Sequence, residues 1–180
     1  FAKQMGLPIQ KLIIASNENK VLVDFFDTGA YDRNRDFILT TSPSMDILVS
    51  SNLERLLYLM ADESTEAVQT FMDQLKEIGR YEVTEAMKEK AKDFYADYAT
   101  EEEVAAQIAA LYHADGYVID PHTAVAAHVA NTYVAETDDH TPIIIASTAS
   151  PYKFPQAVLT AIDPEFSDDS MEEMLDRLRE

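Results

Sequence analysis

Short apolar runs alternate with amphipathic stretches along this chain, and that alternation limits the possible folds more than any other feature. The clearest run is residues 142–146 (Pro-Ile-Ile-Ile-Ala), and residues 12–15, 37–40 and 117–119 repeat the pattern. Such runs, bounded by turn residues, are typical of buried strands, whereas the stretches between them have helical spacing. Strands that alternate with helices predict an α/β fold, with a mostly parallel sheet flanked by helices.

Helix-start signals place the helices between these runs. Asp120 followed by Pro121 predicts a helix N-terminus, because proline in the first helical position has no N–H to leave unpaired. Further helices are predicted at 155–162 and 171–178. The remaining start signals, each a short polar side chain before an amphipathic stretch, are Ser51 with Glu54, Ser64, Thr84, and Thr100 with Glu103.

These patterns predict three segments. Residues 1–62 are interpreted as an α/β segment of a large domain. Residues 63–113 lack proline and are rich in acidic residues, and they are interpreted as an acidic helical insertion or covering layer. Residues 114–180 are expected to complete the same α/β domain and to add a C-terminal helix.

Charge and composition exclude several classes of function. The chain has 180 residues and a formal net charge of −19, so nucleic acid and anionic membrane surfaces are poor partners. It contains no cysteine, and His122 and His128 are six residues apart on a predicted helix and face different sides, so no metal site is expected. No apolar run approaches the roughly 18 residues of a membrane span, and no signal peptide is recognisable. A cytoplasmic location is predicted.

Polar segments follow several of the predicted strands. They are residues 16–19, 42–46 and 147–150, and Asp120 follows the strand predicted at 117–119. In parallel sheets, ligands bind beyond the carboxyl ends of the strands. The pattern therefore predicts a shared pocket but does not identify a reaction.

Several of these segments, taken together and in this order, resemble threonine synthases. The resemblance covers residues 1–60 and 112–162. The segments that carry it are Ala15-Ser16-Asn17-Glu18-Asn19, residues 21–29, Ser42-Pro43-Ser44-Met45-Asp46-Ile47, residues 51–56, Ile119-Asp120-Pro121-His122-Thr123-Ala124-Val125-Ala126, and residues 147–155 (Ser-Thr-Ala-Ser-Pro-Tyr-Lys-Phe-Pro).

The resemblance implies a fold-type-II enzyme of the tryptophan-synthase β group. Such an enzyme uses pyridoxal phosphate (PLP) to convert O-phosphohomoserine and water into threonine and phosphate. On the cofactor side, Thr148 matches the position whose hydroxyl faces the pyridine nitrogen, and Ser16, Asn17 and Asp120 match positions near the cofactor. A structural role stays open for each: Thr148 and Asp120 suit helix starts, and Ser16 and Asn17 suit an Asx turn.

The same resemblance places three residues near the substrate. Asn19 and Ser44 match segments close to the active site, and ordinary turn chemistry is the alternative for both. Lys153 is the one lysine within a pocket-forming motif, where its charge could attract the substrate phosphate. A solvated surface lysine is the alternative.

Two parts that the resemblance requires are absent from these 180 residues. The family's catalytic lysine, which holds the cofactor as a Schiff base, and its glycine-rich phosphate loop belong to the N-terminal part of the enzyme. The chain has four scattered glycines and begins, at residues 1–6, with what resembles the end of a helix. The prediction is a C-terminal fragment whose partner is the missing N-terminal part. Alone it is expected to be inactive, to bind PLP weakly or not at all, and to self-associate.

Two other hypotheses remain at this point. The first is a related fold-type-II lyase or β-replacement enzyme, such as a relative of cysteate synthase. The second is a non-catalytic α/β binding module that is complete at 180 residues.

Overall fold

The computed structural model describes residues 1–163, 165–167 and 170–179. The chain divides into two compact units, each built from several stretches of sequence. Unit 1 comprises residues 1–14, 19–37 and 47–97, and unit 2 comprises residues 15–18, 38–46 and the described part of 98–180. Among the described residues, no helix combines the length and the apolar character needed to cross a membrane.

Unit 1 packs four helices around an apolar core that includes Phe25, Tyr31 and Tyr81. The helices are α1 (Val21–Thr28), α2 (Leu53–Met60), α3 (Thr65–Glu77) and α4 (Glu85–Lys90). Strands β2 (Ala30–Asp32) and β3 (Arg80–Glu82) pair antiparallel, with Tyr31 opposite Tyr81. These two rings stack with centroids 5.2 Å apart, and the edge of Phe25 packs on both. Aromatic pairs across this short sheet stabilise two strands that have only three residues each.

A second pair of strands is parallel. Strand β1 (Leu12–Ser16) lies beside β4 (Phe94–Tyr98). The Leu12 amide donates to the Asp93 carbonyl over 3.0 Å, and the Ala99 amide donates to the Ser16 carbonyl over 2.9 Å. Both strands therefore run in the same direction. The segment that follows β1 begins with Asn17, a residue of the candidate site.

Unit 2 is built from helices. They are α5 (Glu101–Asp115), α6 (Pro121–Thr137), α7 (Pro155–Ile162) and α8 (Met171–Arg177). Helix α6 is the central element and has eight buried residues, most of them alanine or valine. These small side chains allow close approach on several faces, which suits a helix buried on more than one side. The described short 3₁₀ helices, Pro43–Met45 and Pro151–Lys153, also lie in this unit.

Most of the predicted helix starts are confirmed. Ser64 accepts a hydrogen bond from the Ala67 amide, Thr84 accepts one from the Met87 amide, and Thr100 forms a capping box with Glu103. Asp120 caps α6 with Pro121 in the first turn. The capping box predicted at Ser51 is wrong. Helix α2 has Asn52 as its N-cap residue, without a side-chain cap, because residues 51 and 52 form a turn.

Three of the four predicted strands are wrong for the described chain. Residues 37–40, 117–119 and 142–146 form neither strand nor helix. Ile144 is 96% exposed and Leu39 is 83% exposed, although both lie in apolar runs. A strand needs a neighbouring strand to share its backbone hydrogen bonds, and among the described residues strands pair only as β1 with β4 and β2 with β3. Conversely, β2, β3 and β4 are too short or too mixed in polarity for the sequence pattern to predict them.

Candidate active site

Asn17 is the centre of a buried polar cluster at the end of β1. Its side-chain Nδ2 lies 2.7 Å from Asp46 Oδ1, 2.9 Å from Thr40 Oγ1 and 3.0 Å from Ser42 Oγ. We call Asn17, Thr40, Ser42 and Asp46 the Asn17 cluster. Asn17 is 1% exposed and Ser42 is fully buried. An amide nitrogen has two hydrogens, so these acceptors share them, and the Asn17 NH₂ group is fully engaged within the protein.

Asp46 completes the cluster from the other side of a turn. Its Oδ2 accepts from the Thr40 amide over 3.0 Å, and its Oδ1 accepts from the Thr40 hydroxyl over 2.7 Å. Residues 40–46 therefore fold back on themselves around one carboxylate. The Pro43–Met45 3₁₀ helix, which includes Ser44, forms the tip of this turn. The cluster fixes the position from which Ser44 is presented.

Asp120 combines a helix cap with a buried charge. Its Oδ1 accepts from the His122 amide over 2.9 Å, and its Oδ2 accepts from the Thr123 hydroxyl over 2.5 Å. Asp120 is 1% exposed. Burial by itself raises the pKa of this carboxyl, but the hydrogen bonds from Thr123 and His122 together lower the pKa below its ordinary range. Asp120 is therefore an ionised carboxylate at neutral pH.

His122 connects Asp120 to the Ser44 turn. Its ring Nδ1 lies 2.9 Å from Asp120 Oδ1, and the Ser44 backbone amide donates to its Nε2 over 3.2 Å. The imidazole packs against the Phe154 ring, with centroids 4.8 Å apart. The side chain of His122 is only 9% exposed. One imidazole therefore contacts the Ser44 turn, the N-terminus of α6 and the N-cap residue of α7.

The segment that carries Thr148 is connected to Asp120 through hydroxyl groups. The Thr123 and Ser147 hydroxyls lie 2.9 Å apart, so Ser147 continues the hydrogen-bonded series from Asp120. Thr148, the next residue, is exposed. Lys153 is also exposed, and its amide donates to the Ser150 carbonyl at the start of a 3₁₀ helix. Both side chains are thus accessible to a ligand.

The other two predicted residues are buried near the start of the chain. Ser16 is 6% exposed, and its carbonyl accepts the Ala99 amide. Asn19 is 3% exposed and belongs to unit 1, where its carbonyl accepts the Val21 amide at the start of α1. These contacts use backbone atoms, and they place both residues at element boundaries.

Within unit 2, one hydrogen-bonded series connects two of the predicted residues, Ser44 and Asp120, and ends beside a third, Thr148. It runs from the Ser44 amide through His122 and Asp120 to Thr123 and the Ser147 hydroxyl, next to Thr148. Sequence reasoning did not assign His122 or Thr123 to the site. The signal was available, because residues two and three positions after an N-cap aspartate return to its carboxylate. The ligand contacts assigned to the seven predicted residues stay predictions.

A cavity of about 360 Å³ lies elsewhere in unit 2, between α5 and α7. Its lining includes Val104, Ile108 and Thr160 together with Glu101, whose carboxylate accepts from the Thr41 amide. None of the seven predicted residues lines it. Among the described residues, no three histidine, aspartate or glutamate side chains are grouped so that they could hold a metal ion.

Comparison with known proteins identifies the family that this chain resembles. A family profile described as "Threonine synthase, C-terminal" matches residues 123–180. The chain is 40% identical to the threonine synthase of Saccharomyces cerevisiae over 177 residues, and 45% identical to the Homo sapiens protein threonine synthase-like 1 over 164 residues. Each alignment covers 90% of this chain, but only 34% and 22% of the respective relative. The chain therefore spans about a third of the yeast protein and less of the human one.

Solved structures give the same result at the level of the fold. The chain matches the yeast threonine synthase with a TM-score of 0.84 and 38% identity, over 99% of this chain and 39% of that one. It also matches a PLP-bound threonine synthase from Brucella melitensis with a TM-score of 0.83 and 38% identity, over 99% of this chain and 37% of that one. The α/β fold class and the resemblance predicted from the sequence are confirmed.

Proposed function

Because this chain corresponds in sequence and fold to the C-terminal portion of threonine synthases, we propose that it works as that portion of a PLP-dependent enzyme. The enzyme converts O-phosphohomoserine and water into threonine and phosphate. The observation that carries the proposal is the match to the yeast enzyme, with a TM-score of 0.84 over 99% of this chain. The polar series between Ser44 and Ser147 supports it, because that series holds the predicted ligand segments in fixed positions.

The predicted cofactor-binding residues are suited to contact PLP only in part. When bound, PLP supplies an electron sink for the carbon chemistry of the substrate. Thr148 is exposed beside Ser147, which is held by Thr123, so its hydroxyl is free to meet the pyridine nitrogen. The side chains of Asn17 and Asp120 already form hydrogen bonds within the protein. We assign to them the task of orienting the pocket rather than holding the ring, and Ser16 sets the end of β1 in the same way.

On the substrate side, the proposed contacts are the exposed groups. The Ser44 amide is taken by His122, so the Ser44 hydroxyl is the group that would meet the substrate. Lys153 is the one lysine of unit 2, and its exposed ammonium would attract the phosphate of O-phosphohomoserine in an otherwise acidic unit. Asn19, just after the Asn17 cluster, is proposed to orient the same segment.

We also propose that the 180-residue chain is inactive by itself. The Schiff-base lysine and phosphate loop that the resemblance implies would come from an N-terminal part. Several of the seven lysines of unit 1 form ion pairs, among them Lys3 with Asp93, Lys88 with Glu85, and Lys90 with Asp62. The four glycines are far apart in sequence, so they do not form a loop whose amides could hold a phosphate.

The missing part is the partner for which the exposed apolar runs are suited. Ile144 at 96% and Leu39 at 83% exposure lie in two runs with strand-like sequence that form no strand in the described part of the chain. Strands from the N-terminal part of a longer enzyme would pair with these runs and cover them. Without that part, we expect the same runs to drive self-association of the chain. A cytoplasmic enzyme is the setting we propose.

Activity of a hybrid enzyme tests the proposal. The matched C-terminal region of the yeast enzyme is replaced by this chain, and phosphate release from O-phosphohomoserine is measured with added PLP. The hybrid should release phosphate, and the 180-residue chain alone should not. A silent hybrid that nevertheless folds and binds PLP would count against the threonine synthase assignment, while an active 180-residue chain would refute the inactivity of the fragment.

One observation favours a second candidate, a related lyase that acts on a different substrate. The identity to threonine synthase-like 1 of Homo sapiens is 45%, higher than the 40% to the yeast threonine synthase. The hybrid distinguishes the two candidates. Consumption of free or phosphorylated serine without release of phosphate from O-phosphohomoserine would favour the related lyase.

A further inference from the structure

The geometry around His122 fixes which of its ring nitrogens carries the proton. A backbone amide can only donate, so Nε2, which lies 3.2 Å from the Ser44 nitrogen, must present its lone pair. Nδ1 lies 2.9 Å from Asp120 Oδ1, an oxygen that is ionised and can only accept, so Nδ1 must carry the hydrogen. The imidazole is therefore neutral, in the Nδ1–H form.

The contact at Nε2 satisfies a donor that the local fold leaves over. Ser44 lies in the three-residue 3₁₀ helix Pro43–Met45, and the first amides of a helix have no partner inside it. Pro43 has no N–H, and the Met45 amide already donates to the Ser42 carbonyl. The Ser44 amide is thus the leftover donor of this turn, and His122 supplies its acceptor.

The same ring also packs against the segment that carries Lys153, another exposed predicted residue. The Phe154 ring packs against the imidazole at a centroid distance of 4.8 Å and an interplanar angle of 55°. Phe154 follows Lys153 and is the N-cap residue of α7. One side chain therefore sets the position of the Ser44 turn relative to Asp120 and to the Lys153 segment.

We propose that His122 is a positioning residue of this site, locked by Asp120 as the neutral Nδ1–H tautomer so that its Nε2 holds the Ser44 turn in place. The inference rests on the proposed function where it concerns the substrate. The tautomer and the Ser44 contact can be measured without any ligand or activity.

Two substitutions distinguish the contact at Nδ1 from the contact at Nε2. In His122→Gln the amide oxygen reaches the position of Nε2 and can accept from Ser44. In His122→Asn the shorter amide can donate to Asp120 but does not reach Ser44. His128→Asn is the matched control, because His128 lies on the same helix and its Nε2 faces Glu103 at 3.6 Å.

The experiment is ¹⁵N NMR on the 180-residue chain, in which only four histidines contribute imidazole signals. The His122 ring should show a protonated Nδ1 and an unprotonated Nε2. The Ser44 amide resonance should move strongly in His122→Asn, less in His122→Gln, and not at all in His128→Asn. A protonated Nε2, a ring averaged between both tautomers, or equal effects of Asn and Gln would overturn the proposal.

The hybrid enzyme supplies the functional readout. If it is active, His122→Asn should raise KM for O-phosphohomoserine about tenfold, the equivalent of one lost hydrogen bond, and His122→Gln should stay closer to the parent. An unchanged KM in both variants would refute the positioning role. A hybrid that is inactive with His122 intact would count against the proposed function instead, while the tautomer measurement would still decide this inference.

Discussion

At the scale of single residues, Asn17 shows how a predicted ligand residue can serve the fold instead. Its NH₂ group lies 2.7 Å from an Asp46 oxygen in a position that is 1% exposed. Replacing Asn17 with aspartate would place two carboxylates against each other, and we expect the free energy of unfolding to fall by about 3–5 kcal/mol. Asn17→Ala, which removes the amide group without adding a charge, should cost about 1–3 kcal/mol. Urea unfolding followed by circular dichroism measures both.

Asn52→Asp is the control for this prediction. Asn52 is exposed, and its side-chain oxygen accepts from Arg55, so aspartate preserves the contact with the same change in charge. Its free energy of unfolding should stay within about 0.5 kcal/mol of the parent. Equal destabilisation by Asn17→Asp and Asn52→Asp would mean that added negative charge, not the Asn17 cluster, is responsible.

Ionisation of Asp120 makes the free energy of unfolding depend on pH. Burial opposes ionisation, but the hydrogen bonds from Thr123 and His122 lower the folded-state pKa below its unfolded value. The stabilisation is therefore present above the unfolded pKa of about 3.9 and is lost as the pH falls through the folded-state pKa. Asp120→Asn should cost about 1–3 kcal/mol at neutral pH. That cost should shrink as the solution is acidified below pH 4.

The difference between parent and variant isolates this term. Asp139, whose pKa is lowered to about 2 by hydrogen bonds from Thr141 and Tyr133, titrates in both proteins and cancels. Urea unfolding between pH 3 and pH 7 supplies the curve. If the cost of Asp120→Asn stays constant across this range, the ionised carboxylate of Asp120 does not contribute to the stability of the folded chain.

At the scale of helices and strands, the sequence predicts correctly those features that depend on contacts between residues close together in the chain. The caps at Ser64, Thr84, Thr100 and Asp120 are satisfied within a few residues, and all four are confirmed. The apolar run at 142–146 was interpreted as a strand because its side chains demand burial. A strand also needs a neighbouring strand, and the described residues form no strand beside this run. The site follows the same rule: Ser44 and Asp120 were predicted singly, but the imidazole that connects them depends on packing.

The end of α3 tests how closely one helix terminus is packed. Gly79 follows α3 with φ of +76°, and an added Cβ would lie 2.7 Å from Asn34 Nδ2 and 2.8 Å from Asn34 Cγ. That side chain is held by a hydrogen bond to the Ile78 carbonyl. We expect Gly79→Ala to cost about 2–3 kcal/mol, from the left-handed backbone and the lost hydrogen bond together.

A double-mutant cycle separates these two contributions. In an Asn34→Ala background the clash is gone, and Gly79→Ala should cost only the about 1–2 kcal/mol of the left-handed backbone. Gly116→Ala offers a second reference, since Gly116 has φ of +67° and nothing within 4 Å of the added Cβ. Purely additive changes at positions 34 and 79 would contradict the close contact between them.

At the scale of the whole molecule, the two units differ in what they can offer a phosphorylated ligand. Seven of the eight lysines lie in unit 1, where several pair with carboxylates, and Lys153 alone lies in unit 2. With a net charge of −19, the chain repels anions over most of its surface. Under the proposed function, a phosphate-bearing substrate and cofactor would draw further cations and backbone amides from the N-terminal part. This is why we propose that the C-terminal portion holds and orients the site but does not complete it.

The exposed apolar run at 142–146 is expected to drive self-association of the chain, and this can be measured. Ile144 is 96% exposed, so replacing it with glutamate removes almost no buried contact, and the midpoint of thermal unfolding should stay unchanged. Self-association through the run should weaken by tenfold or more, because a buried charge costs at least about 1.4 kcal/mol in an apolar contact. Sedimentation velocity over a range of concentrations measures this, with Met171→Glu, at another exposed apolar position, as the control. Equal weakening by both variants would assign the association to general apolar contact rather than to this run, and an unassociated parent chain would remove the case for an uncovered interface.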